Sequence, residues 1–256
     1  MDVEALLDWY EWVRRPLPWR ETRDPYALLV SEVMLQQTQA LRVVPYYERW
    51  LSAFPTAASL AAAPTRDVLA LWSGLGYNRR ALALQRAAVF VSEHGWPSDL
   101  TELPGVGKYT AAAVSSFAWD RDMAAVDTNV RRVITRREGL DVDVDARADA
   151  LLPRGRAAVF NQAMMELGAT VCRPRVPDCA RCPVERGCLR LVVAPARRVK
   201  KEKFEDTDRW ARGRVVASLL AGEPFPLDGE RLERALAGLE RDGLIVRDSS
   251  GRPQLP

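Results

Sequence analysis

Cys172-Arg173-Pro174-Arg175-Val176-Pro177-Asp178-Cys179-Ala180-Arg181-Cys182-Pro183-Val184-Glu185-Arg186-Gly187-Cys188 contains every cysteine of a 256-residue chain. Six, two and five residues separate the four thiols. Thiolates this close in sequence can converge on one centre, and an all-cysteine shell suits a soft site such as an iron-sulfur cluster or zinc. A structural zinc site usually pairs two short C-x2-4-C hooks across a longer loop, and only Cys179 to Cys182 has that form. The spacing therefore favours a cluster, with zinc as the competing reading. Four clustered thiols and no others also fit a reducing compartment, where disulfides are rare.

The rest of the chain is ordinary in bulk. Its hydrophobic content of 48% can fill one large or two modest domains. No apolar run is long enough for a membrane span, and the acidic start Met1-Asp2-Val3-Glu4 lacks the form of a secretory signal. A cytoplasmic location is expected, with no membrane partner. Net charge is only +3, so affinity for nucleic acid does not follow from total charge. Lysine occurs only at Lys108, Lys200, Lys201 and Lys203, leaving 33 of 37 basic residues as arginine. Arginine grips phosphate with two parallel hydrogen bonds, but in a chain rich in alanine GC-rich coding gives the same bias.

Apolar residues at three- and four-residue spacing predict helices up to about residue 170, with almost no strand signal. The expected segments are Val3–Arg14, Pro25–Val44, Pro45–Phe54, Ala57–Ala62, Thr65–Trp72, Arg79–His94, Ser98–Leu103, Tyr109–Ala118, Asp127–Arg137 and Ala157–Val171. A basic connector, Ala194–Lys203, lies within a linker at 191–206. Beyond it, helices at Asp208–Leu220 and Asp228–Asp242, a strand at Leu244–Val246 and a turn at 248–251 predict a small winged-helix-like module over 207–256. The fold class is mainly α.

Between two helical segments lies Leu103-Pro104-Gly105-Val106-Gly107-Lys108-Tyr109-Thr110. Alternate glycines let the backbone turn tightly, and the amides at the next helix start favour an anion, with Lys108 adding charge. A phosphate is the natural occupant. The string resembles the helix-hairpin-helix of DNA glycosylases, which holds one DNA phosphate through Gly105, Val106, Gly107 and Lys108 without reading sequence. The cysteine spacing likewise resembles the four-iron four-sulfur loop of the endonuclease III and MutY branch of that superfamily.

Breaking the bond between base and deoxyribose requires a proton for the departing base and negative charge near the cationic sugar, work that two carboxyl groups can divide. Glu32 is a single acid in an apolar, amide-rich helix, where burial would raise its pKa. Asp127 starts a later helix, whose dipole favours the ionised form. Alone, the first reads as a solvated glutamate and the second as an N-cap. Their order around the hairpin resembles the active-site segments of MutY adenine glycosylases.

That resemblance covers roughly residues 9–190 and includes Pro18-Trp19-Arg20, Glu32 to Thr38, Gly74-Leu75-Gly76-Tyr77, Asp127 to Asn129 and Glu166-Leu167-Gly168-Ala169. It implies a six-helix barrel with the hairpin (21–127), a helical iron-sulfur domain (1–20 and 128–190) and double-stranded DNA in the groove between them. The DNA would carry a mismatch or an oxidised guanine. It further implies one four-iron four-sulfur cluster on Cys172, Cys179, Cys182 and Cys188. By the same resemblance Glu32 protonates the purine and later helps activate water, Asp127 stabilises or transiently attacks the sugar, and Tyr109 and Asn129 support them. Trp19, Arg20, Gln162 and Glu166 would line the adenine pocket. Leu35, Gln37, Thr38 and Tyr77 would engage the stack vacated by the flipped base.

Two departures stand out. Lyase-competent relatives carry lysine where this chain has Tyr109, which favours a monofunctional enzyme. MutY proteins usually carry a large C-terminal domain, similar to MutT, that recognises 8-oxoguanine; only 68 residues follow Cys188. The expected activity is excision of adenine opposite 8-oxoguanine or guanine. The alternatives are a thymine or uracil glycosylase acting opposite guanine, disfavoured by Leu35-Gln36-Gln37-Thr38, and a non-enzymatic cluster protein, disfavoured by the presence of both carboxylates.

Overall fold

The structure is a computed structural model that describes residues 1–192 and 203–256. Most of the expected connector Ala194–Lys203 lies outside the described residues. Twelve α-helices and one short hairpin occur among those described. In chain order the helices are α1 (Val3–Val13), α2 (Pro25–Leu35), α3 (Ala40–Ala53), α4 (Ala57–Ala61), α5 (Thr65–Trp72), α6 (Arg79–His94), α7 (Lys108–Trp119), α8 (Thr128–Glu138), α9 (Val144–Leu151), α10 (Ala157–Thr170), α11 (Asp208–Ala221) and α12 (Gly229–Arg241). β1 (Val246–Arg247) and β2 (Pro253–Gln254) pair antiparallel, Val246 opposite Gln254.

Local chemistry sets many of these limits. Asp2, Thr56, Asp127, Asp143 and Thr207 each accept a backbone N–H of the first turn, the usual N-cap bond, and Thr56 with Ser59 forms a full capping box. Gly95 and Gly222 end α6 and α11 at positive φ.

The chain divides into two compact units. The first comprises Met1–Glu32, Asp99–Thr101 and the described part of Val106–Arg198; the second comprises Val33–Ser98, Glu102–Gly105 and the described part of Val199–Pro256. In the first, α10 packs against α1, α7 and α8. Leu6, Tyr10, Val130, Ile134, Phe160, Met164 and Leu167 are among its buried residues. Helix α7 is buried continuously from Thr110 to Ala118, which its run of alanine and serine permits. In the second unit α6 packs on α4 and α5, and α11 packs on α12 and α5. Trp50 meets Trp72 edge to face at 5.5 Å in its core.

Three expectations are corrected. The single helix expected over Pro25–Val44 breaks after Leu35, because residues 36–39 turn with Gln37 at φ +61°. Pro45 does not start a helix but lies inside α3; the carbonyl it deprives of a partner belongs to Leu41, which is exposed and can bond water. The strand expected at Leu244–Val246 begins only at Val246, since Leu244 and Ile245 are buried and the Leu244 N–H closes α12 on the Leu239 carbonyl. Helix α9 was not foreseen.

Candidate active site

Helix α2 is buried along most of its length and carries Glu32 inward, 5% exposed. Its Oε2 is buried without a hydrogen-bond partner. Burial raises the carboxyl to about 7, the Tyr109 hydroxyl bond opposes that rise, and the charge of Asp127 adds to it. Tyr109, in the first turn of α7, is held well above the ordinary phenol range by burial and then by the charges of Glu32 and Asp127. Three groups expected to act together from distant parts of the sequence therefore sense one another.

Asp127 is locked by its cap. One carboxylate oxygen accepts the backbone N–H groups of Asn129 at 2.8 Å and Val130 at 2.7 Å, and the other accepts the Asn129 side-chain amide at 2.7 Å. Asn129 is held in turn by Arg132, which donates to its Oδ1 at 2.7 Å and to the Gly168 carbonyl at 2.6 Å. The glycine of Glu166-Leu167-Gly168-Ala169 has a packing reason. A Cβ there would fall 2.5 Å from the Asn129 Cβ, so only glycine lets α10 approach α8 this closely.

Glu166 is wholly buried and takes two hydrogen bonds from Arg15, at 2.7 and 3.0 Å, and one from Arg20 at 2.6 Å. Burial alone would raise its carboxyl, but the bonds and charges of Arg15 and Arg20 outweigh it and hold the group below its ordinary value. The Arg20 guanidinium lies over the Tyr10 ring at 5.4 Å, and Tyr10 donates to Gln162 at 2.7 Å. Trp19 is buried.

In the second unit, Leu35 and Thr38 are half-buried and Gln37 is exposed. The turn they form and the turn Gly74-Leu75-Gly76-Tyr77 share one clamp. Arg80, buried in α6, donates to the carbonyls of Val33 (2.8 Å), Gln36 (2.5 Å) and Gly76 (3.0 Å), and its guanidinium lies 5.3 Å from the rings of both Trp72 and Tyr77. Burial lowers its pKa to about 10. Gln37 and Tyr77 both have positive φ, uncommon for residues with side chains and a mark of backbone held by its surroundings.

At the hairpin, Gly105 has φ +78° and a Cβ there would meet Ala83 at 2.6 Å, so it is fixed by both turn and packing. Gly107 caps α7 with open space around it, and Lys108 is exposed. Val106 is buried. A glycine with no packing demand, at the first amides of a helix, leaves the backbone open to an anion.

The four cysteines line one cavity with about 560 Å³ of empty space, its open mouth included. Among the described residues no three His, Cys, Asp or Glu converge as on a single metal ion. Arginines of α8 build the cavity. Arg132 donates to the Cys172 carbonyl at 2.8 Å, Arg136 to the Arg173 and Pro174 carbonyls at 2.6 and 2.5 Å, and Arg137 to Val184 and Arg186 carbonyls. Arg136 also approaches the Cys172 sulfur at 3.6 Å, and the Arg190 N–H approaches that of Cys188 at 3.4 Å. Donors of this kind are the partners that surround and orient sulfur ligands at a metal site.

Sequence reasoning missed Arg15, Arg80, Arg132, Arg136 and Arg137. Most of their partners are backbone carbonyls, which leave no trace in sequence. The one available signal was the i, i+4 spacing of Arg132 and Arg136.

A buried acid near neutrality, an aspartate fixed by its cap and an open Gly-x-Gly hairpin define a base-excision glycosylase of the helix-hairpin-helix class, and residues 30–151 match the HhH-GPD superfamily base excision DNA repair protein family. Over 98% of its length the chain is 42% identical to the adenine DNA glycosylase of Mycobacterium tuberculosis, covering 92% of that protein. With the human adenine DNA glycosylase it shares 42% identity over 72% of the chain but spans only 38% of the human protein. Among solved structures it is similar to a thermostable thymine-DNA glycosylase (TM-score 0.66, 32% identity, 70% of this chain and 90% of that one). A DNA complex of endonuclease III shares the fold (TM-score 0.63, 24% identity, 73% and 91%). The chain belongs to the adenine DNA glycosylase family. No helix among the described residues is long and apolar enough to cross a membrane.

Proposed function

We propose that this chain excises adenine opposite 8-oxoguanine or guanine in double-stranded DNA, hydrolysing the N-glycosidic bond and leaving the strand intact. The supporting observation is Glu32, a buried carboxyl whose value of about 7 keeps it substantially protonated at neutral pH beside Asp127. A departing purine needs that proton, and the cationic sugar needs the neighbouring charge. Glu32 donates to the purine and then takes a proton from the attacking water. Asp127, facing three N–H donors, is the anion beside the sugar, with Asn129 fixing it. Tyr109 orients Glu32 and offers no amine for a Schiff base, hence no strand cleavage.

Trp19, Arg20, Gln162 and Glu166 form the base pocket, in which Glu166 holds Arg20 in place. Leu35, Gln37, Thr38 and Tyr77 enter the duplex as the adenine leaves it. Gly105, Val106, Gly107 and Lys108 hold a phosphate. Residues 21–127 act as the barrel, 1–20 with 128–190 as the cluster domain and 207–256 as a winged-helix-like module, in a monomer working on the nucleoid. Cys172, Cys179, Cys182 and Cys188 would hold one four-iron four-sulfur cluster, whose part is to tie the loop together. The shared cavity and the sulfur-directed donors fit such a group.

Single-turnover base release from duplexes pairing A, T or U with G or 8-oxoguanine tests this reading. Adenine should be released from both pairs, with no product trapped by borohydride. Faster release of T or U than of A overturns it in favour of a thymine or uracil glycosylase, the thymine activity being the one named for a similar solved structure.

A further inference from the structure

Tyr77 is 38% exposed, yet three contacts fix it. Arg80 lies against its ring from the protein interior at 5.3 Å. Arg209, in the first turn of α11, donates to its hydroxyl at 2.7 Å and places its guanidinium 5.0 Å from the ring centre. Arg209 is exposed and also lies 4.9 Å from the Phe204 ring. Helix α11 is not a loose tail: Arg66 of α5 donates to the Leu220 carbonyl at 2.5 Å, and Ala211, Val215 and Val216 are buried. A ring packed only as core needs no cation at its exposed edge. A ring that must enter a base stack gains from being held in the entering orientation before DNA arrives, because the ordering cost is then already met.

We propose that Arg209 is a positioning residue for base extrusion: the C-terminal segment supplies it to hold Tyr77 in the orientation that enters the duplex. This rests on the reading of Tyr77 as a residue that enters the stack. It gives the C-terminal segment a task at the lesion itself, distinct from tracking phosphates along the flanking duplex.

The test uses the full chain and a duplex carrying 2-aminopurine beside the target adenine, with stopped-flow fluorescence reporting unstacking and quenched samples reporting excision. Arg209→Ala should slow unstacking about tenfold, the worth of a charge-assisted hydrogen bond with a cation-π contact, and leave the melting temperature unchanged. Arg209→Lys should recover part of the rate, and Tyr77→Phe should show part of the loss. In a Tyr77→Ala background Arg209→Ala should have no further effect. Arg231→Ala is the charge control, since Arg231 stacks on Trp210 at 5.0 Å; it should leave unstacking unchanged. Equal effects of Arg209→Ala and Arg231→Ala, or additivity of Arg209→Ala with Tyr77→Ala, overturn the proposal. If Tyr77→Ala itself leaves unstacking intact, the reading of Tyr77 fails. If Tyr77→Ala abolishes unstacking while Arg209→Ala does not, the role of Arg209 alone fails.

Discussion

The Tyr109 hydroxyl neighbours the Glu32 carboxyl as a hydrogen-bonding group that lowers the acid's pKa, and burial still carries that pKa to about 7. The pair therefore sets a titration within the physiological range. Excision that uses protonated Glu32 should fall as pH rises through about 7. Tyr109→Phe removes the opposing bond, so the fall should move to higher pH. Single-turnover rates between about pH 5 and 9 test this; an alkaline limb that stays put or moves lower refutes it.

Glu32→Gln should lose at least about 10² in excision rate, the lower end of a general acid's contribution, while duplex binding persists. It should also stabilise the protein. The folded carboxyl titrates near 7 against an ordinary 4.5, so the folded state binds the extra proton between those values and stability drops as pH rises through that window. The variant should gain up to roughly 3 kcal/mol above pH 7 and nothing below about pH 4. Denaturant melts at both pH values check the sign, and equal gains at both would contradict it.

Asp127→Asn should cost about 10² or more in rate with binding retained, because the charge beside the sugar is lost. Parallel loss of DNA binding in a gel-shift titration would instead point to a structural cap.

Gly168→Ala forces a methyl to within 2.5 Å of Asn129. The helices must part, which should destabilise the chain by about 1–3 kcal/mol and slow excision through the displaced Asn129 and Asp127. Thermal melting with single-turnover rates checks this, and a variant with wild-type values on both would show that the contact relaxes freely.

Arg137→Ala strips donors from two loop carbonyls at the cysteine cavity. The aerobically purified variant should hold fewer than the about four irons per chain expected of the parent and absorb less near 400 nm. Unchanged iron content would separate this arginine from the cavity's integrity.

Helices α5 and α6 were legible to the residue because proline, glycine and asparagine bound a clear apolar period. The hairpin and both acids were legible as strings. The break after Leu35 was not, since Gln36-Gln37-Thr38-Gln39 contains neither glycine nor proline and the turn depends on Arg80, 44 residues from Gln36. Helix α9 was hidden by its charge, with three acidic or basic residues among eight. Arginine in a helix reads as solvated until the carbonyls that surround it are seen.

Arg80 serves carbonyls from two turns with a single planar group. Neither turn can therefore be lengthened, shortened or re-registered independently of the other, because shifting one leaves the guanidinium misaligned for both. Across related chains the two segments should accept insertions only as a pair. Grafting either one alone into another glycosylase should fail unless the arginine and its second turn travel with it.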